Sequence, residues 1–141
     1  MIFQSHTVAR YAETDMMGVI HHSVYPIWAE VARTELMQAM GYSYYEIEKS
    51  GIMLPVTEIR FQYKAPVFYE NKVMTNCAIT VLDNRRTRID YKICVDDKIC
   101  CIGYTKHIFM NTSTRRSMRI DNILLNKFKK FYHPEFENLL S

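Results

Sequence analysis

Residues 11–25 concentrate the side chains whose types and spacing could do chemistry. Two carboxylates, a glycine, two adjacent histidines and a tyrosine fall within the stretch: Glu13, Asp15, Gly18, His21, His22 and Tyr25. A carboxylate can attack a carbonyl carbon or activate the water that does so. If a helix begins here, its unpaired backbone N–H groups could polarise the same carbonyl. The stretch is therefore a candidate acyl-transfer site, with Asp15 as its catalytic carboxylate.

The residues alone leave other interpretations of this stretch open. Asp15 could be a helix cap or a solvated loop residue, and a histidine could simply satisfy a hydrogen bond. Glu13 is expected to be a loop charge, and His21 to face solvent or a partner chain. Adjacent histidines point in different directions on most backbones, and no third potential metal ligand lies at a sequence spacing typical of metal sites. We therefore expect no metal site, and no cofactor is needed.

Residues 23–40 have the apolar period of one long helix, which would begin beside this stretch. Its predicted apolar stripe recurs at steps of three and four: Val24, Ile27, Trp28, Val31, Ala32 and Leu36. Its predicted outer face carries Glu30, Arg33, Thr34 and Gln38. Ser23 is the expected N-cap, Pro26 fits the first turn, and Gly41 suits the position after the helix end.

The rest of the chain predicts an α+β fold. Residues 3–11 are extended in character, 12–22 form a loop, and 42–55 form a loop with one helical turn. Four β-rich segments then follow, separated by short turns, at 56–63, 73–82, 87–95 and 99–110. We expect one domain over residues 1–141, with a core at about 3–112 and a helical tail at about 121–132. One helix covers one sheet face, and a second copy of the chain is the simplest cover for the other.

Composition narrows the function classes. The 141 residues are 48% hydrophobic with a net charge of +3, which excludes a disordered chain and a nucleic-acid-binding signature. The mild positive charge suits an acidic small molecule, such as a nucleotide-bearing thioester, or an acidic carrier protein. The N-terminus has no targeting pattern, no segment could span a membrane, and the four cysteines form no C-x-x-C pair. We expect a cytoplasmic protein with buried cysteines.

Two motifs resemble a known family. Thr14-Asp15-x-x-Gly18-Val19-x-x-His22-x-x-Tyr25, followed by Glu30-x-x-Arg33-Thr34-Glu35, is similar to the signature of hotdog-fold thioesterases of the 4-hydroxybenzoyl-CoA thioesterase type. The segment Pro55-Val56-x-Glu58-x-x-Phe61-x-Tyr63-x-x-Pro66-Val67 also fits that group. The resemblance covers roughly residues 5–112.

This resemblance implies a hotdog fold, a curved antiparallel sheet around the long helix, and hydrolysis of acyl-CoA to a free acid and coenzyme A. It implies that Asp15 is the catalytic carboxylate and that the His22 N–H polarises the thioester carbonyl. It also implies that Tyr25 shapes the pocket. Independently of the resemblance, the conformational freedom of glycine at Gly18 would allow a sharp turn and close approach of the ligand. Arg85 and Arg86 would contact the phosphates of coenzyme A; Thr87 stands where some relatives carry a third basic residue.

The resemblance also implies a homodimer or homotetramer with the site at an interface. Two rival functions stay open: hydrolysis of acyl groups on acyl carrier protein, and non-catalytic binding of acyl thioesters. A hydratase is a weaker rival, since its histidine-centred pattern is absent. Acyl chain length and aromatic preference do not follow from the sequence.

Overall fold

A computed structural model describes residues 1–136; residues 137–141, which the predicted domain includes, lie outside the described residues. The strands are β1 (Phe3–Val8), β2 (Ile52–Met53), β3 (Val56–Tyr63), β4 (Lys72–Leu82), β5 (Arg86–Val95), β6 (Lys98–Ile108) and β7 (Met110–Asn111). The helices are α1 (Val24–Ala39), α2 (Tyr44–Lys49) and α3 (Asn122–Lys129). The predicted α+β class is confirmed. None of these helices combines the length and apolarity needed to cross a bilayer.

Five strands form one antiparallel sheet in the order β1-β4-β5-β6-β3. β4, β5 and β6 are consecutive, and short turns at Asp83-Asn84 and Asp96-Asp97 join them. β3 precedes these strands in the chain and pairs with β6, so β1 and β3 lie at opposite edges. β2 and β7 form a separate two-stranded pair. Helix α1 packs across one face of the sheet and contacts β1, β4 and β5.

The core lies between α1 and this inner sheet face. Ile89, Tyr91 and Ile93 of β5 are completely buried, and they alternate with Arg88 and Lys92 on the outer face. Burial of one large apolar side chain stabilises the fold by roughly 1.5–3 kcal/mol. The combined burial of this face sets the rotation of α1 on the sheet, and thereby the direction of its N-terminal end.

The buried stripe of α1 differs from the predicted one. Ile27 and Val31, predicted in the stripe, are 53% and 45% exposed. Arg33, predicted on the outer face, is buried, and its Nη1 donates to the Tyr91 hydroxyl at 3.1 Å. The spacing of the apolar residues indicates an amphipathic helix. Which residues of that helix are buried also depends on distant partners such as Tyr91, which lies 58 residues after Arg33. Tyr25 is buried as well.

The two ends of α1 also differ in how far they follow prediction. Ser23 occupies the predicted N-cap position, but its hydroxyl makes no capping hydrogen bond. Its Oγ lies 2.8 Å from Nδ1 of His21 instead. At the other end Gly41 has φ +80°, and its N–H donates to the Gln38 carbonyl at 2.9 Å. This left-handed glycine ends the helix as predicted.

The C-terminal segment pairs with β4 and brings Phe136 to Lys92 on the outer sheet face. Ile79 of β4 donates to the carbonyl of Phe131 at 2.9 Å and accepts from the N–H of His133 at 2.8 Å. Phe136 is 1% exposed, and Nζ of Lys92 lies 5.3 Å from its ring centroid. The chain itself therefore supplies some of the cover for which a second copy was the simplest predicted source.

Candidate active site

A tight turn between β1 and α1 holds Asp15. The Asp15 N–H donates to the Val19 carbonyl at 2.8 Å, and the Gly18 N–H donates to the Asp15 carbonyl at 3.1 Å. The Ile20 N–H donates to the Val67 carbonyl at 2.8 Å, which fastens the turn to the segment after β3. Ile20 is buried in one apolar cluster with Val67. The turn is thus closed on itself and anchored to the core.

Backbone groups of the turn orient the Asp15 carboxylate. Its Oδ1 accepts from the N–H of Met17 at 2.8 Å and from the N–H of Val19 at 3.3 Å. Within residues 1–136, Oδ2 has no hydrogen-bond partner. Asp15 is half-buried, and the side chain of Met17 is exposed. One carboxylate oxygen is therefore fixed, while the other keeps its lone pairs for a ligand.

Gly18 is required in this turn by its conformation. Its φ of +79° lies in the left-handed region, which side-chain-bearing residues rarely adopt. A Cβ at this position would meet no atom within 4 Å. Open space therefore lies beside the Gly18 backbone, close to Asp15.

His22 lies just before α1, where a helix presents partial positive charge. In the described part of the chain its backbone N–H has no hydrogen-bond partner, and its side chain is exposed. The His21 and His22 ring centroids are 4.2 Å apart. The His21 N–H donates to the Glu13 carbonyl at 2.9 Å. His22 thus offers a backbone donor that no described protein group uses.

Aromatic side chains pack beneath the start of α1. The Tyr25 ring is 5.4 Å from that of Trp28 and 5.2 Å from that of Tyr63, in edge-to-face geometry. Tyr25 is 3% exposed, and this burial, with the nearby Cys101 thiol, raises the pKa of Tyr25 to about 12. The phenol therefore stays protonated at neutral pH. The Tyr63 hydroxyl donates to the His22 carbonyl at 3.1 Å.

Two residues at the turn have contacts that the sequence interpretation did not assign. Glu13, expected to be a loop charge, is buried, and its Oε1 accepts from the Arg10 N–H at 2.8 Å. The three-residue spacing of Arg10 and Glu13 is typical of a reciprocal cap and could have indicated this contact. No local pattern indicates that Tyr63 reaches His22, which lies 41 residues earlier.

Arg85 and Arg86 lie far from Asp15 in the same chain. Their backbone N–H groups donate to Oδ1 of Asp83 at 2.7 and 2.9 Å, at the tip of the β4–β5 hairpin. Ile93, which packs in the same cluster as Ile20, is about 23 Å from Arg86 along β5 at roughly 3.3 Å per residue. Arg86 lines a groove of about 450 Å³ together with Arg88 and Lys106. The chain therefore places the carboxylate and the arginine pair at opposite ends of the sheet.

The cysteines are buried and free, as expected. Burial raises the pKa of the Cys77 and Cys101 thiols to about 12. Both thiols are protonated at neutral pH and are poor nucleophiles.

The chain matches the thioesterase-like superfamily over residues 9–128. YneP of Bacillus subtilis, provisionally named an acyl-CoA thioesterase, is 38% identical over 84 residues. That alignment covers 60% of this chain and 61% of YneP, so the chain spans about three fifths of that relative.

Solved structures support the same assignment. The structure of a DHNA-CoA thioesterase from Staphylococcus aureus is 33% identical, with a TM-score of 0.86, and the match covers 92% of this chain and 89% of that one. The structure of Slr0204, a 1,4-dihydroxy-2-naphthoyl-CoA thioesterase from Synechocystis, is 19% identical with a TM-score of 0.84. The match covers 95% of this chain and 100% of that one, and it shows the shared fold alone. The predicted hotdog fold is confirmed, and the chain belongs to the thioesterase-like superfamily.

Proposed function

We propose that this protein hydrolyses acyl-CoA thioesters, with Asp15 as the reacting carboxylate and the His22 N–H as the carbonyl donor. The observation that carries the proposal is the pair of unused groups in the segment between β1 and α1, Oδ2 of Asp15 and the N–H of His22. Family membership and the names of YneP and the Staphylococcus aureus enzyme support thioester hydrolysis.

The proposed reaction needs only the Asp15 carboxylate, the His22 N–H as hydrogen-bond donor, and water. The His22 N–H stabilises the negative charge that develops on the thioester oxygen. Asp15 either attacks the carbonyl carbon or removes a proton from the attacking water. The C–S bond breaks, and the coenzyme A thiolate takes up a proton. On the general-base route the acid forms directly; on the nucleophilic route water must then hydrolyse the anhydride between the acyl group and Asp15 to release the acid. Backbone anchoring of Oδ1 keeps the carboxylate in place during these steps.

We further propose that two copies of the chain form the working unit by pairing their β3 strands. Within the described sheet β3 pairs only with β6, and its outer edge is open. Val56 and Ile59 of β3 are 46% and 50% exposed, and Tyr63 is 51% exposed. An open apolar edge of this length is a site for strand addition.

This pairing accounts for the distance between Asp15 and the arginines. A twofold axis makes the two β3 strands antiparallel. The end of the sheet that carries the β4–β5 hairpin tip in one chain therefore lies beside the end that carries Asp15 in its partner. Arg85 and Arg86 of one copy would then bind the phosphates of a substrate whose thioester reaches Asp15 of the other. Arginine suits such phosphate contacts.

Release of free thiol from short, medium, long and aromatic acyl-CoAs tests the reaction, with the same acyl groups on acyl carrier protein for comparison. The aromatic thioesters are included because DHNA-CoA appears in the name of the Staphylococcus aureus structure. We expect faster turnover of at least one acyl-CoA than of its carrier-protein counterpart. Binding without turnover across the panel would favour the non-catalytic function.

Mixing two variants tests the shared site. Asp15→Asn and Arg85→Ala/Arg86→Ala are each assayed alone and after 1:1 subunit exchange, at substrate concentrations well below KM. If each site combines Asp15 of one copy with the arginines of the other, random mixing restores about one quarter of wild-type activity. If the mixture is no more active than the average of its parents, the arginines do not act across the pair.

A further inference from the structure

The carbonyl of His22 lacks the donor that a helix would normally supply. In an α-helix, the N–H of residue i+4 donates to the carbonyl of residue i. For His22 that residue is Pro26, which has no N–H. The Tyr63 hydroxyl takes its place and donates to the His22 carbonyl at 3.1 Å.

Tyr63 holds the start of α1 through two separate contacts. Besides its hydrogen bond to His22, its ring packs edge-to-face on Tyr25 with centroids 5.2 Å apart. In the described chain this hydroxyl is the one hydrogen-bonding partner that His22 has. The orientation of the exposed His22 backbone therefore depends on a side chain from β3.

We propose that Tyr63 is a positioning residue, which fixes His22 so that its N–H points at the thioester carbonyl. This inference rests on the proposed function for its catalytic consequence. Tyr63 touches no reacting atom, and its effect passes through the His22 backbone. Burial, and then the nearby Cys101 thiol, raises the pKa of Tyr63 above its usual value near 10, so the hydroxyl stays a donor at the pH of any ordinary assay.

Tyr63→Phe removes the hydroxyl and keeps the ring on Tyr25. Loss of an oxyanion donor lowers kcat by about 10²–10³-fold, and we expect about tenfold for a donor that is kept but misdirected. KM should change by less than about twofold, since the donor acts mainly on the transition state. The matched control is Tyr104→Phe, which removes a phenolic hydrogen bond to Glu58 on the outer face and should leave kcat near wild type.

A second variant tests the replaced helix bond directly. Pro26→Ala restores a backbone N–H in the position that should donate to the His22 carbonyl. Adding it to Tyr63→Phe should recover most of the lost kcat. A general loss of packing would not be repaired by this change.

The amide signal of His22 in a ¹⁵N–¹H NMR spectrum gives a readout that does not depend on activity. It should shift in Tyr63→Phe, stay in place in Tyr104→Phe and return towards its wild-type position in the double variant. A wild-type protein without thioesterase activity would contradict the proposed function, while the NMR series would still test the anchor. An unmoved His22 signal, an unchanged kcat in an active enzyme, or equal losses in Tyr63→Phe and Tyr104→Phe would overturn the inference.

Discussion

Two aspartates in this molecule are held in opposite ways. Asp90, on the outer face of β5, is completely buried, and both of its oxygens are bonded. Arg88 donates through Nε to Oδ1 and through Nη2 to Oδ2, each at 2.8 Å, and Thr80 donates to Oδ1 at 2.5 Å. Asp15 is half-buried, and within residues 1–136 the hydrogen bonds to its carboxylate reach only Oδ1.

The contrast separates a carboxylate that holds a structure from one that is available for chemistry. Every oxygen of Asp90 is occupied by a donor, so its lone pairs are committed to the fold. The donors of Asp15 are backbone groups, and they leave Oδ2 open. Removing the charge should therefore lower activity at Asp15 and stability at Asp90.

The largest expected effect is on activity, at Asp15. Asp15→Asn keeps an Oδ1 that accepts from Met17 and Val19, so the turn should persist. Loss of the reacting carboxylate should lower kcat by about 10³-fold, which corresponds to about 4 kcal/mol. The variant is assayed for thiol release and for urea denaturation. Wild-type turnover by Asp15→Asn would show that another group does the chemistry.

The matched change at Asp90 should act on stability. Asp90→Asn removes the buried charge that faces the largely buried Arg88 guanidinium, and we expect a loss of about 3 kcal/mol in the free energy of unfolding. Below the unfolding transition, kcat should stay within about threefold of wild type. Urea denaturation and the thioesterase assay measure the two effects. A stable Asp90→Asn protein with low kcat would remove the distinction between the two carboxylates.

A third test extends the comparison to a buried polar chain on the inner sheet face. The Tyr91 hydroxyl lies 2.8 Å from Oγ1 of Thr105, and Nε2 of His107 lies 2.8 Å from the same oxygen. Nδ1 of His107 is 3.2 Å from the Leu54 carbonyl. Burial, and then the charge of Arg33, lowers the pKa of His107 to about 4.

Because the unfolded chain takes up this proton near pH 6.5 and the folded chain only near pH 4, acid favours unfolding. The contribution of His107 is complete above pH 6.5 and is lost as pH falls towards 4, by about 2 kcal/mol at pH 5. Urea denaturation at pH 7.5 and pH 5 measures this loss. His107→Gln, which does not titrate, should lose less stability over the same interval; an equal loss would assign the pH dependence to other groups.

The smallest effect should come from the turn itself. Gly18→Ala forces a residue with a Cβ into φ +79°, at a cost of about 1 kcal/mol, and the added methyl group meets no neighbour. The contrasting variant is Gly103→Ala in β6, whose Cβ would collide with Phe61 and with the Arg60 carbonyl. In thermal unfolding, the melting temperature of Gly103→Ala should be well below that of Gly18→Ala. A Gly18→Ala protein as stable as wild type would mean that the Gly18 conformation carries no special strain.

Elements with a strong local period were predictable from the sequence, because period and turn residues are local properties. The helix at 23–40, the strands at 56–63 and 87–95, and the end of α1 at Gly41 lie within a residue of their structural bounds. Distant partners decided the rest. Arg33 is buried where it can donate to Tyr91, and Tyr63 contacts His22 only because the sheet brings the end of β3 beside the start of α1. At the site, the type and spacing of Asp15 and His22 pointed to acyl transfer, but which carboxylate oxygen stays open depends on the turn.

The backbone anchoring of Asp15 has a consequence for how such a site can change during evolution. Its two donors are the peptide N–H groups of Met17 and Val19, which persist whatever side chains those positions carry. Side chains at Met16 and Met17, both exposed beside the carboxylate, can therefore be exchanged without removing its supports. Proline is the exception at 17 and 19, since it lacks the N–H. If Asp15 is the reacting carboxylate, as proposed, substitutions at the tip of the turn can therefore alter the surroundings of the substrate while the groups that hold the carboxylate are kept.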